Sequence, residues 1–311
     1  MRDKSIDIAK GLAIILVMVG HTLMNRYVCN AIYSFHMPLF FILSGYFMNG
    51  KSIDRNYINK LYKTLLRPYL ITALITIGLS FFCNHNVFND IVAAFIVGCD
   101  ISYIDIPFIG AIWFLIALFL SKLIIQLVIN GILKWEYLLF LTMVSYFVTK
   151  MTGVILPWCL SIVGFCSLFV LIGHFLGKKN ILSILSDKHY FRLIALWCLL
   201  FAPFVPLAVR INFYPLGLFN ILTASTLTVS ILVLIKFFMN EVRIEFISDF
   251  FSWLGRNSLL ILCIHSVECH FHLLDITLND YFNCVIRIIV VVILTFFLYN
   301  VSIVKCIFNT K

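Results

Sequence analysis

The stretch SIDIAKGLAIILVMVGHTLMNRYVCNAIYSFHMPLFFILSGY, residues 5–46, decides the fold of this chain. We predict two hydrophobic helices joined by a short turn, each apolar enough to span a lipid bilayer. The stretch nevertheless carries Asp7, Lys10, His21 and His36, which hydrocarbon disfavours. Residues 11 or 14 positions apart on an α-helix return to within about 20° or 40° of one face, so Asp7, Lys10 and His21 form one polar stripe. Such stripes face a bundle interior or a water-filled cavity, and we interpret this one as functional.

The composition is that of a membrane protein. Of the 311 residues, 62% are hydrophobic and only 12% are charged, whereas soluble domains carry roughly 25% charged residues. The apolar residues lie in runs of about 17 to 25, the length that crosses a hydrocarbon core of about 30 Å. We therefore predict an all-α, polytopic integral membrane protein. The net charge of +9 would suit a nucleic-acid partner, but the positions of the charges indicate membrane orientation, so no nucleic acid is expected.

Ten transmembrane helices in one bundle account for the hydrophobic runs. The segment IVAAFIVG, residues 91–98, is too short to cross and is expected to be re-entrant or interfacial. Residues 1–311 are expected to form a single domain without an appended soluble domain. The ten predicted spans are 8–25, 31–49, 67–83, 107–129, 135–151, 157–176, 192–209, 214–238, 251–269 and 284–305.

The basic residues test this arrangement. With a cytoplasmic N-terminus, all but four of the 23 Lys and Arg residues fall on the cytoplasmic side, as the positive-inside rule requires. Both termini are then cytoplasmic, and the expected location is the inner membrane of a bacterial-type cell. The four exceptions, on the outer side, are Arg26, Lys150, Arg210 and Arg287.

This orientation gives each unusual polar residue a depth. Lys10 lies at the inner end of the first helix, and His21 lies about 16 Å further out at 1.5 Å per residue. The second helix returns inward, so His36 reaches a depth similar to that of His21. Further candidates are Trp113 and His265 near the histidines, Ser258 on the same stripe as His265, and Arg67 and Arg256 at the inner boundary.

A metal site is not predicted. The ten cysteines show no CxxC or Cys/His zinc spacing, and we interpret them as small hydrophobic residues within helices. His21, His36 and His265 share the outer third and would suit a metal, but no carboxylate or cysteine stands at ligand spacing with them. The other histidines are interpreted as solvated or interfacial: His85, His174, His189, His270 and His272.

Positive residues at the inner end of the bundle, with a histidine about 16 Å further out, suit a long ligand that carries phosphates at one end. Coenzyme A has this shape, with a flexible pantetheine arm and a thioester at its tip. Lysine and arginine would hold the phosphates. A neutral imidazole at the tip could take a proton from an attacking hydroxyl.

The hairpin resembles the membrane acyltransferase 3 family, which comprises bacterial O-acyltransferases of cell-envelope sugars. Members open with an Asp, a basic residue three positions later and a His eleven positions after that, matched here by Asp7, Lys10 and His21. A second family signature resembles SFHMPLFFILSGYF, residues 34–47. Weaker similarities, in the family's order, are RPYL at 67–70, IWFL at 112–115 and LGRNSLLILCIH at 254–265.

The resemblance implies a ten-helix enzyme that moves an acyl group, most often acetyl, from acyl-CoA to a hydroxyl of an envelope carbohydrate or lipid-linked sugar. It implies Lys10 and His21 as the functional pair and His36 as the motif histidine of the second helix. We expect His21 to be the general base, with His36 or His265 orienting it or stabilising the oxyanion. Many members have Arg where this chain has Lys10, so bidentate pairing is lost although the charge remains. Some relatives carry a fused hydrolase-like domain; none is expected here, so the acceptor must reach the bundle or a partner must help.

The alternative is a membrane transporter that uses the Asp/Lys/His stripe as a substrate or proton path. Transporters often show paired halves with broken helices at matching positions, and the sequence shows no such pairing. A structural or sensory subunit would leave the aligned ionisable groups unexplained. The acceptor, the choice between acetyl and other acyl groups, direct or partner-assisted transfer, and the oligomeric state stay open.

Overall fold

The computed structural model describes eleven segments of the chain. Within them the chain is all helical and forms no β-strand, as the sequence predicts for its fold class. The described residues are 3–23, 25–50, 52–83, 85–98, 110–153, 156–179, 181–186, 188–210, 212–241, 245–276 and 279–308.

Sixteen α-helices, α1 to α16 in chain order, make up these segments. Short π-helical turns at Tyr62–Leu66 and Ala93–Val97 extend α4 and α6, and 3₁₀ turns lie at Gly110–Ile112 and Ala202–Phe204. The α-helices are Lys4–Thr22, Arg26–Tyr33, His36–Tyr46, Arg55–Leu61, Arg67–Phe82, Val87–Val92, Trp113–Ile129, Trp135–Thr152, Leu160–Lys178, Ile181–Ser186, His189–Phe201, Phe219–Glu241, Glu245–Arg256, Ser258–His270, Asp280–Tyr299 and Ser302–Phe308.

Seven helices of the described residues are long and apolar enough to cross a membrane, or eight if α13 and α14 form one bent span. The predicted number of ten spans is therefore not confirmed, and the cytoplasmic placement of the termini stays a prediction. The predicted short segment 91–98 overlaps the short apolar helix Val87–Val97. The seven spans are Lys4–Thr22, Arg26–Tyr46, Arg55–Phe82, Gly110–Ile129, Leu160–Lys178, Phe219–Met239 and Asp280–Tyr299.

Two of the predicted spans lack a helix of this kind. In 135–151, α8 is long enough, but Glu136 and Lys150 lie near its two ends and lower its apolar character. In 192–209, α11 ends at Phe201 because Pro203 follows, and proline has no backbone N–H to continue a helix.

Two of the predicted helices are broken. The span 31–49 is interrupted between α2 and α3, which end and begin on either side of Ser34 and Phe35. The span 251–269 bends by 68° between α13 and α14. Asn257 lies at this bend, and its side-chain amide donates to the carbonyl of Trp253 at 2.9 Å. His36 and His265 both lie on the helix that follows such a break.

Glycines set the closest helix crossings. A Cβ on Gly11 of α1 or Gly255 of α13 would overlap backbone atoms of the other helix, in the second case the carbonyl of Asp7. Gly45 of α3 and Gly173 of α9 meet in the same way. Small residues allow such close backbone contact between membrane helices. These two crossings fix α1 and α3, the helices that carry the predicted functional histidines.

Candidate functional site

A cavity of about 470 Å³ lies between α1, α2, α3 and the start of α7. We call it the histidine cavity, because His21 and His36 both line it, together with the buried indole of Trp113. The sequence placed these three side chains at similar depth, and the structure brings them together. The lining residues are Val17, Gly20, His21, Leu23, Arg26, Cys29, Asn30, Tyr33, His36, Met37, Ala111, Trp113, Ala208, Val209 and Arg210.

His21 lies in the last turn of α1 and is partly buried. Its ring centroid is 6.5 Å from that of Tyr33 and 5.4 Å from that of His265, with the rings nearly perpendicular in both pairs. The Tyr33 hydroxyl donates to the carbonyl of Gly20 at 2.6 Å and thereby fixes α2 against the end of α1. The imidazole of His21 therefore contacts two other rings at the cavity wall.

His36 is the first residue of α3 and is buried. Its Nδ1 lies 2.8 Å from the carbonyl oxygen of Ile32. A carbonyl can only accept, so Nδ1 carries the proton and Nε2 of the neutral ring keeps its lone pair. His36 in this tautomer is a hydrogen-bond acceptor at its second nitrogen.

His265 is fully buried on α14, and its Nδ1 lies 3.5 Å from Oε2 of Glu268. The same carboxylate accepts from Nε of the buried Arg287 at 3.0 Å. Arg287 also donates to Asp275 at 2.7 Å and to the hydroxyl of Thr22 at 2.6 Å. Thr22 is the residue after His21, and Glu268 is three residues after His265. The network therefore connects the end of α1 to α14 and α15 next to both histidines.

A second, smaller cavity of about 150 Å³ adjoins the histidine cavity, and we call it the Lys10 cavity. Both cavities are lined by Val17 and Met37. Lys10 and Ser258 line the smaller one, so the structure brings these two predicted residues together. Lys10, Ile14, Val17 and His21 follow one another at helical spacing, so one face of α1 lines both cavities. Asp7 does not line either cavity; it is buried at the crossing of α1 with α13.

A third cavity, of about 410 Å³, is lined by Lys60 and Lys122, and we call it the Lys60–Lys122 cavity. Lys122 lies close enough to both Lys60 and Lys10 to be repelled by their charges. Asp54 also lines this cavity, and its carboxylate caps α4 by accepting from the backbone N–H of Tyr57 at 2.7 Å. Three lysines from α1, α4 and α7 thus concentrate positive charge beside the Lys10 cavity.

The two predicted arginine ligands lie elsewhere. The guanidinium of Arg67 donates to the carbonyls of Cys306 and Ile307 at 2.5 and 2.8 Å, at the end of α16. Arg256 is exposed at the last residue of α13. Among the described residues, neither lines any of the three cavities, and their predicted part in donor binding stays a prediction.

Sequence reasoning missed several charged residues around the histidine cavity. Arg26 and Arg210 line it, and Arg287 lies behind it in the network with Glu268. One signal was available: these arginines are three of the four exceptions to the predicted charge bias. The fourth exception is Lys150, on α8.

Cys269 also lies at the histidine cluster. Ligand atoms of His21, His265 and Cys269 all lie within 4.8 Å of one another. The expectation that no cysteine stands at ligand spacing with these histidines is therefore wrong for Cys269. Residues four apart on a helix share a face, and this spacing from His265 was the signal that the sequence argument overlooked.

Two curated proteins are similar to part of the chain. The nodulation protein NolL of Mesorhizobium japonicum is 30% identical over 142 residues, which cover 40% of this chain and 35% of that protein. NolL of Sinorhizobium fredii is 34% identical over 152 residues, covering 43% of this chain and 39% of that protein. The matched parts thus span little more than a third of these relatives.

A comparison with solved structures finds no match. A family model described as an acyltransferase domain, by contrast, matches residues 3–306, nearly the whole chain. That stretch includes the lining residues of all three cavities. The chain belongs to this acyltransferase family.

Proposed function

We propose that this protein is a membrane O-acyltransferase that moves an acyl group, most simply acetyl, from acyl-CoA to a hydroxyl of a cell-envelope carbohydrate or lipid-linked sugar. One observation carries the proposal: a single face of α1 lines two adjoining cavities, with Lys10 in one and His21 in the other. Lys10 and His21 are eleven positions apart, which corresponds to about 16 Å along the helix and matches the length of a pantetheine arm. The family match supports acyl transfer as the chemistry.

The lysines provide the binding site for the phosphates of the donor. Lys60 and Lys122 line the wider cavity beside Lys10, and charge-assisted contacts to phosphate are stronger than neutral hydrogen bonds. The narrow Lys10 cavity, with apolar walls such as Ile14 and Leu118, suits the uncharged arm. The thioester then lies near Val17 and Met37, where the two cavities adjoin.

His21 acts as the general base. It takes the proton of the acceptor hydroxyl while the hydroxyl oxygen attacks the acyl carbonyl carbon. Collapse of the tetrahedral intermediate breaks the carbon–sulfur bond, and the departing CoA thiolate takes the proton back from His21. The products are an ester of the acceptor and free CoA thiol.

His36 and His265 support this step in different ways. Nδ1 of His36 is committed to a carbonyl, so Nε2 of the neutral ring accepts rather than donates. This suits the alignment of a substrate hydroxyl better than stabilisation of an oxyanion. His265, with its Nδ1 near Glu268, faces His21 edge to face and restricts the orientation of that ring.

The acceptor occupies the wider histidine cavity. Tyr33 and Trp113 offer aromatic faces to a sugar, and Arg26 and Arg210 add positive charge at the lining. Among the described residues that line this cavity there is no carboxylate. The cavity therefore favours an acceptor that carries a phosphate or a carboxylate.

The test is thioester consumption by the purified protein in lipid nanodiscs. With acetyl-CoA and envelope glycans as acceptor, we expect CoA thiol to be released and an acetyl ester to appear on the glycan. A transporter would contradict the proposal: it would move labelled sugar or protons across a liposome membrane and leave every acyl-CoA intact.

A further inference from the structure

A second cluster of metal-ligand side chains lies outside the three cavities. His85 precedes α6, Asp90 belongs to α6, and His270 ends α14. Ligand atoms of these three residues all lie within 4.8 Å of one another. Oδ1 of Asp90 is 3.3 Å from Nε2 of His270, and the ring centroids of His85 and His270 are 5.5 Å apart. Two separate parts of the chain, residues 85–90 and the end of α14, thus bring two imidazoles and a carboxylate together.

The carboxylate is the unusual member, because Asp90 is fully buried. Its Oδ2 accepts from the hydroxyl of Ser80, whereas Oδ1 accepts no hydrogen bond among the described residues. Burying a carboxylate is costly unless a positive charge compensates it. An ion pair between Asp90 and His270 alone would leave no role for the adjacent nitrogen of His85.

We propose that His85, Asp90 and His270 bind one Zn²⁺ ion. Two histidine nitrogens and one carboxylate oxygen are a usual ligand set for zinc, with water completing a tetrahedron. His85 is exposed at the surface of the protein, so the site can be reached from outside the bundle. Ser80 holds the carboxylate from behind, as an outer-shell hydrogen bond does at many zinc sites.

The ion would stabilise the packing of two separate segments. It would join the segment between α5 and α6 to the end of α14, the helix that carries His265 into contact with His21. This site shares no residue with the cluster of His21, His265 and Cys269. Zinc binding and acyl transfer can therefore be tested separately.

The experiment titrates Zn²⁺ into the detergent-purified full chain after removal of metal with a chelator. We expect one equivalent to bind with a Kd of about 10 µM or tighter and to raise the Tm, because a ligand that binds only the native state stabilises it. Co²⁺ in place of zinc should give the visible absorption of a tetrahedral site. His85→Ala should weaken binding at least about tenfold, and its exposed position means that folding should not suffer.

Matched variants separate this site from its neighbours. His272→Ala removes a nearby exposed histidine that pairs with Asp275 instead, and it should bind zinc as the wild type does. Ser80→Ala should weaken zinc binding without removing a ligand. Cys269→Ser should leave the affinity unchanged. The proposal is overturned if the wild type binds no zinc at about 100 µM, if His85→Ala binds it normally, or if only Cys269→Ser abolishes binding.

Discussion

Replacing Lys122 by Met tests the donor-binding part of the proposal. The substitution keeps an unbranched side chain of similar length in the Lys60–Lys122 cavity and removes the charge. A lost charge-assisted contact to phosphate costs about 1.5–3 kcal/mol, which corresponds to roughly ten- to a hundred-fold in affinity. We therefore expect Lys122→Met to weaken CoA binding by this factor.

The same variant should stabilise the empty protein. Lys60 and Lys122 line the same cavity, and two positive charges close together repel each other, so removing the charge of Lys122 relieves repulsion that bound phosphates would otherwise neutralise. The Tm without ligand should rise while the affinity for CoA falls. A variant that was merely misfolded would lower both the Tm and the affinity for CoA, so a higher Tm with a lower affinity identifies the loss of the charge.

The assay compares calorimetric titrations of CoA and of pantetheine, which lacks the nucleotide and its phosphates. Lys122→Met should affect CoA alone. Arg67→Met is the matched control, because that guanidinium is bound to carbonyls at the end of α16 and its loss should not change the affinity for CoA. Wild-type CoA affinity in Lys122→Met, or an equal loss for both ligands, would refute the assignment of the lysines to the phosphates.

Three further predictions concern α1 and the packing around it. Lys10→Ala should weaken acyl-CoA binding roughly ten- to a hundred-fold, whereas Lys10→Arg should bind acyl-CoA normally, as measured by calorimetric titration. Normal binding by the alanine variant would leave Lys10 with a structural role. Gly173→Ala should destabilise the protein by about 1–3 kcal/mol, because the added Cβ would overlap the carbonyl of Ile42. Gly78→Ala is the control and should not lower the Tm, because its Cβ would meet no atom within 4 Å. Equal effects of the two substitutions on the Tm would argue against the close crossing of α3 and α9. Arg287→Gln leaves the buried carboxylate of Glu268 without its cation and should lower the free energy of unfolding by about 3–5 kcal/mol, and a wild-type denaturation midpoint would show that the network contributes little.

The part of the site on α1 could be predicted from the sequence. Helical periodicity alone places Lys10 and His21 on one face, and the structure shows that face lining two adjoining cavities. Hydropathy likewise identified the seven apolar helices. Both results depend on local properties of the chain, which a single sequence contains.

The remaining features depend on contacts between distant segments. Arg287 and Glu268 are 19 residues apart and pair across two helices, so the sequence does not indicate that they form an ion pair. For Lys60 and Lys122 the sequence predicts only a cytoplasmic position, because nothing local shows that α4 and α7 converge. The bend between α13 and α14 left the hydropathy of the predicted span unchanged and was missed for that reason.

The rate of acyl transfer by His21→Gln tests the central claim most directly. Glutamine keeps the polarity and approximate size of the side chain but cannot accept the proton, and loss of a general base typically costs about 10²–10⁴ in rate. His174→Gln is the matched control, since its Nδ1 lies 2.9 Å from the carbonyl of Met48 and it does not line the histidine cavity. We predict normal acetyl-CoA binding by both variants, near-normal transfer by His174→Gln and a loss of transfer within that range for His21→Gln. A folded His21→Gln protein with wild-type turnover would contradict the assignment of His21 as the base.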